Sequence, residues 1–336
     1  MTVLVSVGLP TGMEGLTFPI PFSDPSTLLR IAKHAEALGY HSVWGNDHMT
    51  TQNYVRSEFP TPPRFWEPLI TYAWLAAQTT TLRFGTGILV LPMRRDIVVT
   101  AKQIATLDHM SGGRLEIGVG VGAYREEFNA LWPDAKVHRG EMVEEGVRAL
   151  RELFNEREAG FQGKYYHFRD VEFFPKPLQP DLPLYFGGNS VQHLQRVARW
   201  GNGWIPAGMP AGQLGNMVSM LRDYTAAEGR DPDTIAIAPQ FVAYVARTDE
   251  EAIAKYQQSQ MHKHLMSLRS STLKGQSATG MEDINLVGSV ETVVAKMHRL
   301  IAAGVTHFLG LYFAASSPDE LCEQMQIFAE QVIPEL

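Results

Sequence analysis

"YFGGNSVQHLQRVARWGNGW", from Tyr185 to Trp204, holds a strand, a helix and the start of the next strand. Tyr185 and Phe186 end a short aromatic and apolar run. Val191, Leu194, Val197 and Ala198 then recur at helical spacing up to Gly201, and Gly203-Trp204 opens another apolar run. Gly187 and Gly188 stand between strand and helix, where glycine is costly unless the backbone turns sharply or approaches something closely. Two explanations fit the local sequence. One is a plain connection with Ser190 as an ordinary helix cap. The other is a backbone cleared for a ligand, with the free N–H groups and partial positive charge of the helix N-terminus offered to a phosphate.

The same alternation runs through the chain. Strand-like runs are "TVLVSVGL" from Thr2, "HSVWG" from His41, "LRFGTGILVL" from Leu82, "RLEIGVGVG" from Arg114, "LPLYFGG" from Leu182, "GWIPAG" from Gly203, "IAIAPQFVAYVA" from Ile235 and "THFLGLYF" from Thr306. Helix signals lie between them. Asp24-Pro25 is an N-cap followed by proline at the first helical position, Leu28, Ile31, Ala32, Ala35 and Leu38 form an apolar stripe, and Gly39 ends it. Ser289 caps a helix through Val293, Val294, Met297, Leu300 and Ile301. Ser317-Pro318-Asp319-Glu320 reads as a capping box before Leu321, Met325, Phe328 and Val332. Eight parallel strands with helical crossovers predict one α/β domain over 1–336, a (β/α)8 TIM barrel with insertions in the βα loops, whose chemistry sits at the C-terminal strand ends. Three connections exceed plain turns: 10–23, 46–64 and 267–288. The last, polar and glycine-bearing, reads as a mobile lid.

Composition narrows the function. The 336 residues carry a formal charge of -7, which argues against a nucleic-acid partner bound through a basic face. The hydrophobic fraction of 45% and charged fraction of 19% are those of a globular protein with ample core. The lone Cys322 cannot form an internal disulfide and reads as a buried structural thiol. "MTVLVSVGLP" lacks the basic and long apolar regions of a signal peptide and no run is long enough to span a bilayer, so the expectation is a cytoplasmic protein with no membrane partner.

Reading outward from the strand ends gives the candidate site. Asn46, Asp47 and His48 follow the second strand, Gly87-Ile88 lies in the third, Gly120-Val121-Gly122 ends the fourth and Gly187-Gly188-Asn189-Ser190 the fifth. An imidazole at a strand end can serve as acid or base near neutral pH, although a structural role for His48 stays open. The glycines of the fourth strand do not match a dinucleotide fingerprint. They make room for a flat ring system or pack a helix closely. Trp44, Trp66, Tyr124, Trp204 and Tyr312 can wall a pocket at the same rim. No metal-binding spacing is present.

Together "GYHSVWGNDHM", "LRFGTGILVLPMR", "LDHMSGGRLEIGVGVGAYREEFNAL", "GKYYHFRDVEFFPKPLQPDLPLYFGGNS", "ARWGNGWIP" and "AAGVTHFLG" resemble the bacterial luciferase-like monooxygenase superfamily over nearly the whole length. The resemblance implies an oxidoreductase that binds the deazaflavin F420 or, alternatively, FMN, and acts on a small organic substrate. His48 matches the family histidine facing the cofactor ring, Gly87-Ile88 a non-prolyl cis peptide behind it, Gly120, Val121 and Gly122 the residues flanking it, and Gly187 to Ser190 the phosphate cradle. The F420 branch implies hydride transfer. The FMN branch implies the oxygenase half of a two-component monooxygenase with a separate reductase, and a third reading is a non-catalytic flavin-binding barrel. Homodimers are common in the family. One departure stands out: some F420-dependent members carry a catalytic Glu where this chain has Ala123, with Arg125, Glu126 and Glu127 further on.

Overall fold

A computed structural model describes residues 3–268 and 280–336. Its strands are β1 Leu4–Leu9, β2 Ser42–Gly45, β3 Arg83–Val90, β4 Leu115–Gly120, β5 Glu158–Gln162, β6 His167–Glu172, β7 Leu184–Gly187, β8 Gly203–Ile205, β9 Ala236–Ile237, β10 Gln240–Val245, β11 Leu286–Gly288 and β12 His307–Phe313. All but β5 and β6 join one curled sheet in the order β11-β10-β12-β1-β2-β3-β4-β7-β8-β9, and its pairings are parallel. This is the TIM-barrel-like α/β architecture, with helices crossing between successive strands. The Tyr185–Trp204 unit takes its place in it as β7, the helix Val191–Trp200 and β8, with Tyr185 paired to Gly203 and Phe186 to Trp204.

The strand expected over 235–246 is broken in two. Proline at 239 has no N–H to donate and lies between β9 and β10. Before the break Ala236 N donates to Asn202 O of the β8 side, and Ile237 O accepts from Thr306 N just before β12. After it, β10 pairs with β12. One segment therefore bonds to both flanks of the sheet.

Two features were not anticipated. β5 and β6 form a separate antiparallel ribbon between β4 and β7. Residues 281–288, expected as loop, form the short helix Met281–Ile284 and the buried strand β11 beside β10. The expectation of a lid at 267–288 otherwise falls mainly on 269–279, outside the described residues. Loop 10–23 packs inward, burying Met13, Leu16, Phe18 and Phe22. Buried Glu14 accepts from Phe22 N and Ser23 N and pairs with Arg64 at 2.6 Å, tying this loop to the end of segment 46–64.

Helix ends follow their cap residues. Asp24 accepts from Thr27 N at 2.8 Å, Gly39 closes that helix at φ +76°, and Leu28, Ile31, Ala32 and Ala35 are buried. Ser317 caps its helix through Glu320 N. Glu320 turns its carboxylate to Ser316 N and Tyr244 OH, so the reciprocal half of the box is not made. Cys322 is buried, and no helix among the described residues is long and apolar enough to cross a membrane.

A polar cluster fills the opposite, N-terminal mouth of the sheet. Ser6 Oγ lies 2.7 Å from both Ser42 Oγ and His307 Nε2, and Trp44 Nε1 donates to Ser42 Oγ. Nearby, buried Glu116 pairs with Arg83 at 3.1 Å. Burial pushes the His307 imidazole down to about 4, so it is neutral near pH 7.

Candidate active site at the C-terminal rim

A cavity of about 230 Å³ opens at the C-terminal ends of the strands, lined among others by Asn46, His48, Ala123, Tyr124, Gln240 and Tyr312. His48 reaches it because Asp47, the residue before it, is anchored. The buried Asp47 carboxylate accepts from Val90 N at 2.9 Å and from Arg94 at 2.7 Å, and Arg94 also pairs with Glu67 at 2.9 Å. The end of β2 is thus bound to the end of β3.

Glu127 holds the imidazole. Its Oε2 lies 2.8 Å from His48 Nδ1, and its Oε1 accepts from Met49 N and Thr50 N. Burial opposes the Glu127 charge. The bond and charge of His48, with the Thr50 N–H and Gln52 amide, outweigh it and hold this carboxyl below the usual range. An ionised carboxylate accepts a hydrogen bond, so Nδ1 carries the proton and Nε2 is the nitrogen left for exchange in the cavity. Glu127 stands among the acidic residues after the fourth-strand glycines, but sequence gives no sign that the helix Arg125–Leu131 turns it back to His48.

The Gly87–Ile88 peptide is cis. Gln240 Nε2 donates to Gly87 O at 3.3 Å and to Tyr312 OH at 2.9 Å, and Tyr312 OH donates to Asn46 Oδ1 at 3.2 Å. This chain joins the bulge in β3 to the cavity wall. Ile88 sits between two of the candidate glycines. A Cβ on Gly120 would lie 2.7 Å from Ile88 Cδ1, and one on Gly187 would lie 2.9 Å from Ile88 Cγ2. Packing against Ile88 thus accounts for part of the glycine cluster.

Gly188 has φ +140°, which L side chains rarely adopt, and a Cβ there would meet the His193 ring at 2.6 Å. Trp204 Nε1 donates to Gly188 O and Asn189 Oδ1 accepts from Ala207 N, which fixes the turn. Ser190 occupies the N-cap position but does not cap: its hydroxyl lies 2.6 Å from His193 Nδ1, a competing partner three residues on. The first N–H groups of the Val191–Trp200 helix therefore have no side-chain cap. His193, Arg196, His138 and Arg139 gather beside this turn. A Cβ on Gly140 would lie 3.0 Å from Arg196 and 3.1 Å from His138, and Arg139 donates to Val121 O and Gly122 O. Burial, then the Arg196 charge, lowers His193 to about 4, and its Nε2 is buried with no hydrogen-bond partner.

The expected aromatic wall divides. Tyr124 and Tyr312 line the cavity. Trp44 and Trp204 do not: both are fully buried, Trp44 packing with Tyr185, Ile205, Ala238 and Leu309 inside the sheet, because Gly85 leaves room for its ring. Trp66 is a partly buried residue packed against the core and is not in the wall. Sequence reasoning does not single out His264, which lines the cavity with its Nδ1 2.8 Å from Tyr54 OH and burial pushing it down to about 3.

Residues 6–307 match the family model for luciferase-like monooxygenase. A relative, the F420-dependent glucose-6-phosphate dehydrogenase of Kineococcus radiotolerans, is 30% identical over 183 residues, covering 54% of this chain and 52% of that enzyme. The monooxygenase RslO1 from Streptomyces bottropensis superimposes with a TM-score of 0.82 at 24% identity, over 98% of this chain and 99% of that one. An F420-dependent secondary alcohol dehydrogenase with an F420-acetone adduct gives 0.80 at 19% identity, over 100% and 99%. The FMN complex of the oxygenating constituent of 3,6-diketocamphane monooxygenase from Pseudomonas putida gives 0.78 at 16%, over 100% and 99%.

Proposed function

This chain belongs to the luciferase-like monooxygenase family, and from that premise we propose that it is an oxidoreductase binding F420 at the C-terminal rim and exchanging a hydride with a small organic substrate. The observation that carries the reading is His48 in the cavity wall, held by Glu127 at 2.8 Å, with Gln240 of the same wall bonded to Gly87 O of the Gly87–Ile88 bulge. Closure of the sheet as a full (β/α)8 barrel through the 236–245 segment belongs to the same reading, supported by the bond from Thr306 N to Ile237 O.

The residues fit such a group. Ile88, flanked by Gly120 and Gly187, offers an apolar face for a flat ring. The uncapped N-terminus of the Val191–Trp200 helix, the unpartnered His193 Nε2 and the nearby Arg139 and Arg196 suit a phosphate. A bound deazaflavin would supply hydride transfer without ready attack on O2. His48, held by Glu127 through Nδ1 in the cavity wall, moves the proton that accompanies oxidation or reduction of the substrate oxygen. The Asp47–Arg94–Glu67 cluster, with Asp47 buried, keeps it in place.

Ala123 favours a second reading. It lines the cavity at the position of the missing carboxylic acid, and its methyl donates no proton, which suits an FMN-dependent oxygenase that works with a separate reductase. Anaerobic mixing with reduced and oxidised F420 and candidate alcohols or carbonyls, beside O2 uptake with reduced FMN, separates the two. F420 turnover that vanishes in His48→Ala supports the first reading, and FMN-dependent O2 uptake coupled to product replaces it with the second.

A further inference from the structure

We infer that the substrate is an uncharged, largely apolar molecule carrying one alcohol or carbonyl oxygen, and not a phosphorylated or carboxylated one. The inference rests on the functional reading above and concerns the same cavity. Its walls are contributed by loop 10–23, by the helix Gln260–Leu268 and by the helix Met281–Ile284, through Met13, Leu16, Met261, Leu265, Met281 and Ile284. Among the described residues that line it there is no Lys, Arg, Asp or Glu. The two histidines do not supply a free cation either. Nδ1 of His48 is committed to the Glu127 carboxylate, and His264 is held neutral by burial. Much of the remaining polarity is spent internally, in the Gln240–Tyr312–Asn46 chain.

An anionic group placed here would lose its hydration without gaining a counter-charge from the described residues, a large penalty in an apolar enclosure. The arginines of this rim, Arg139 and Arg196, stand by the turn after β7 and neither lines the cavity. At about 230 Å³ the cavity exceeds the ~150 Å³ of an apolar void that takes up benzene, so a ring-sized molecule is admitted. Three methionines in the wall give it the adaptability of an unbranched, polarizable lining, which favours a range of related apolar substrates over a single one. This separates the chain from its relative named for glucose 6-phosphate.

The test is calorimetric titration of the full chain with acetophenone and with glucose 6-phosphate, with F420 and FMN titrated in parallel. Wild type and Leu265→Met should bind acetophenone and give no saturable heat with glucose 6-phosphate. Leu265→Asp, checked for fold by circular dichroism, should bind acetophenone about tenfold or more weakly while cofactor affinity is retained, because the new carboxylate must be hydrated. Glucose 6-phosphate binding that acetophenone competes away overturns the inference, as does wild type that ignores acetophenone. These arms need no variant. A chain that takes up acetophenone but neither cofactor overturns the functional reading and leaves the character of the cavity standing.

Discussion

Replacing Gly187 by alanine separates the two roles open to the glycines of this rim. The new Cβ would lie 2.9 Å from Ile88 Cγ2, where ordinary contact begins at 3.4 Å, with Val119 O next at 3.7 Å. Gly187 is absent from the positive-φ glycines, so the backbone accepts alanine and the cost is steric. Overpacking costs about 1–3 kcal/mol, and the half-buried Ile88 can yield, which places the cost at the lower end. The smaller entropy of the unfolded chain returns about 0.4–1 kcal/mol, leaving a net loss of about 1 kcal/mol or less. In the double variant Ile88→Ala, Gly187→Ala the clash is gone, so a double-mutant cycle should show a favourable coupling of about 1 kcal/mol. Urea unfolding measures that part, and cofactor fluorescence titration of Ile88→Ala against the double variant measures the other, since any effect of Ile88 on the cofactor cancels. We expect weaker cofactor binding in the double variant. Zero coupling refutes the packing contact, and equal affinities show that Gly187 serves Ile88 alone.

Three further outcomes follow from the geometry. Glu127→Gln should lower kcat by about 10-fold to 10⁴-fold, the upper bound being the loss when an amide gives a catalytic histidine the wrong tautomer, and should shift the His48 ring nitrogens in 15N NMR with cofactor affinity kept. An unchanged ring spectrum and kcat would remove Glu127 as a positioning residue. Asp47→Ala should cost about 3 kcal/mol in urea unfolding, the lower end for breaking a buried pair, because Arg94 keeps Glu67, and a cost below about 1 kcal/mol would show that the cluster is not a clamp. Folded His307 stays neutral down to about 4 while the unfolded imidazole takes up its proton near 6.5, so the unfolded state binds more protons in that window and stability falls as pH falls through it, by about 3 kcal/mol in all. His307→Gln should flatten the urea-measured slope between those values, and an unaltered slope would assign the acid sensitivity elsewhere.

Where physics is local, the sequence was informative. Asp24, Ser289 and Ser317 each cap the helix they precede, and most of each apolar stripe behind them is buried, with Leu38, Val294 and Ile301 half-buried. The rim position of His48 was legible from its place at the end of a strand, whereas the cis bond at Gly87–Ile88 was legible only through the family resemblance. What could not be read depends on contacts between distant residues. Glu127 meets His48 across 79 positions, and Glu14 meets Arg64 across 50. Whether Ser190 caps its helix was not legible, because a serine followed by a histidine three residues on has two partners to choose from, and only the fold decides between them. The place of Trp44 was not legible because aromatic residues at strand ends look alike whether they face inward or upward; the space left by Gly85 sends it inward.

The two glycines at the end of β7 answer to Ile88, to the His193 ring and, in the proposed function, to a ligand. The most direct measurement of the ligand's share is equilibrium titration of the purified chain with F420 and, separately, with FMN, followed by fluorescence. The account predicts saturable binding of F420 at one molecule per chain, weakened by Arg139→Ala or His193→Ala with the fold retained. Absence of saturable binding by either cofactor would contradict it.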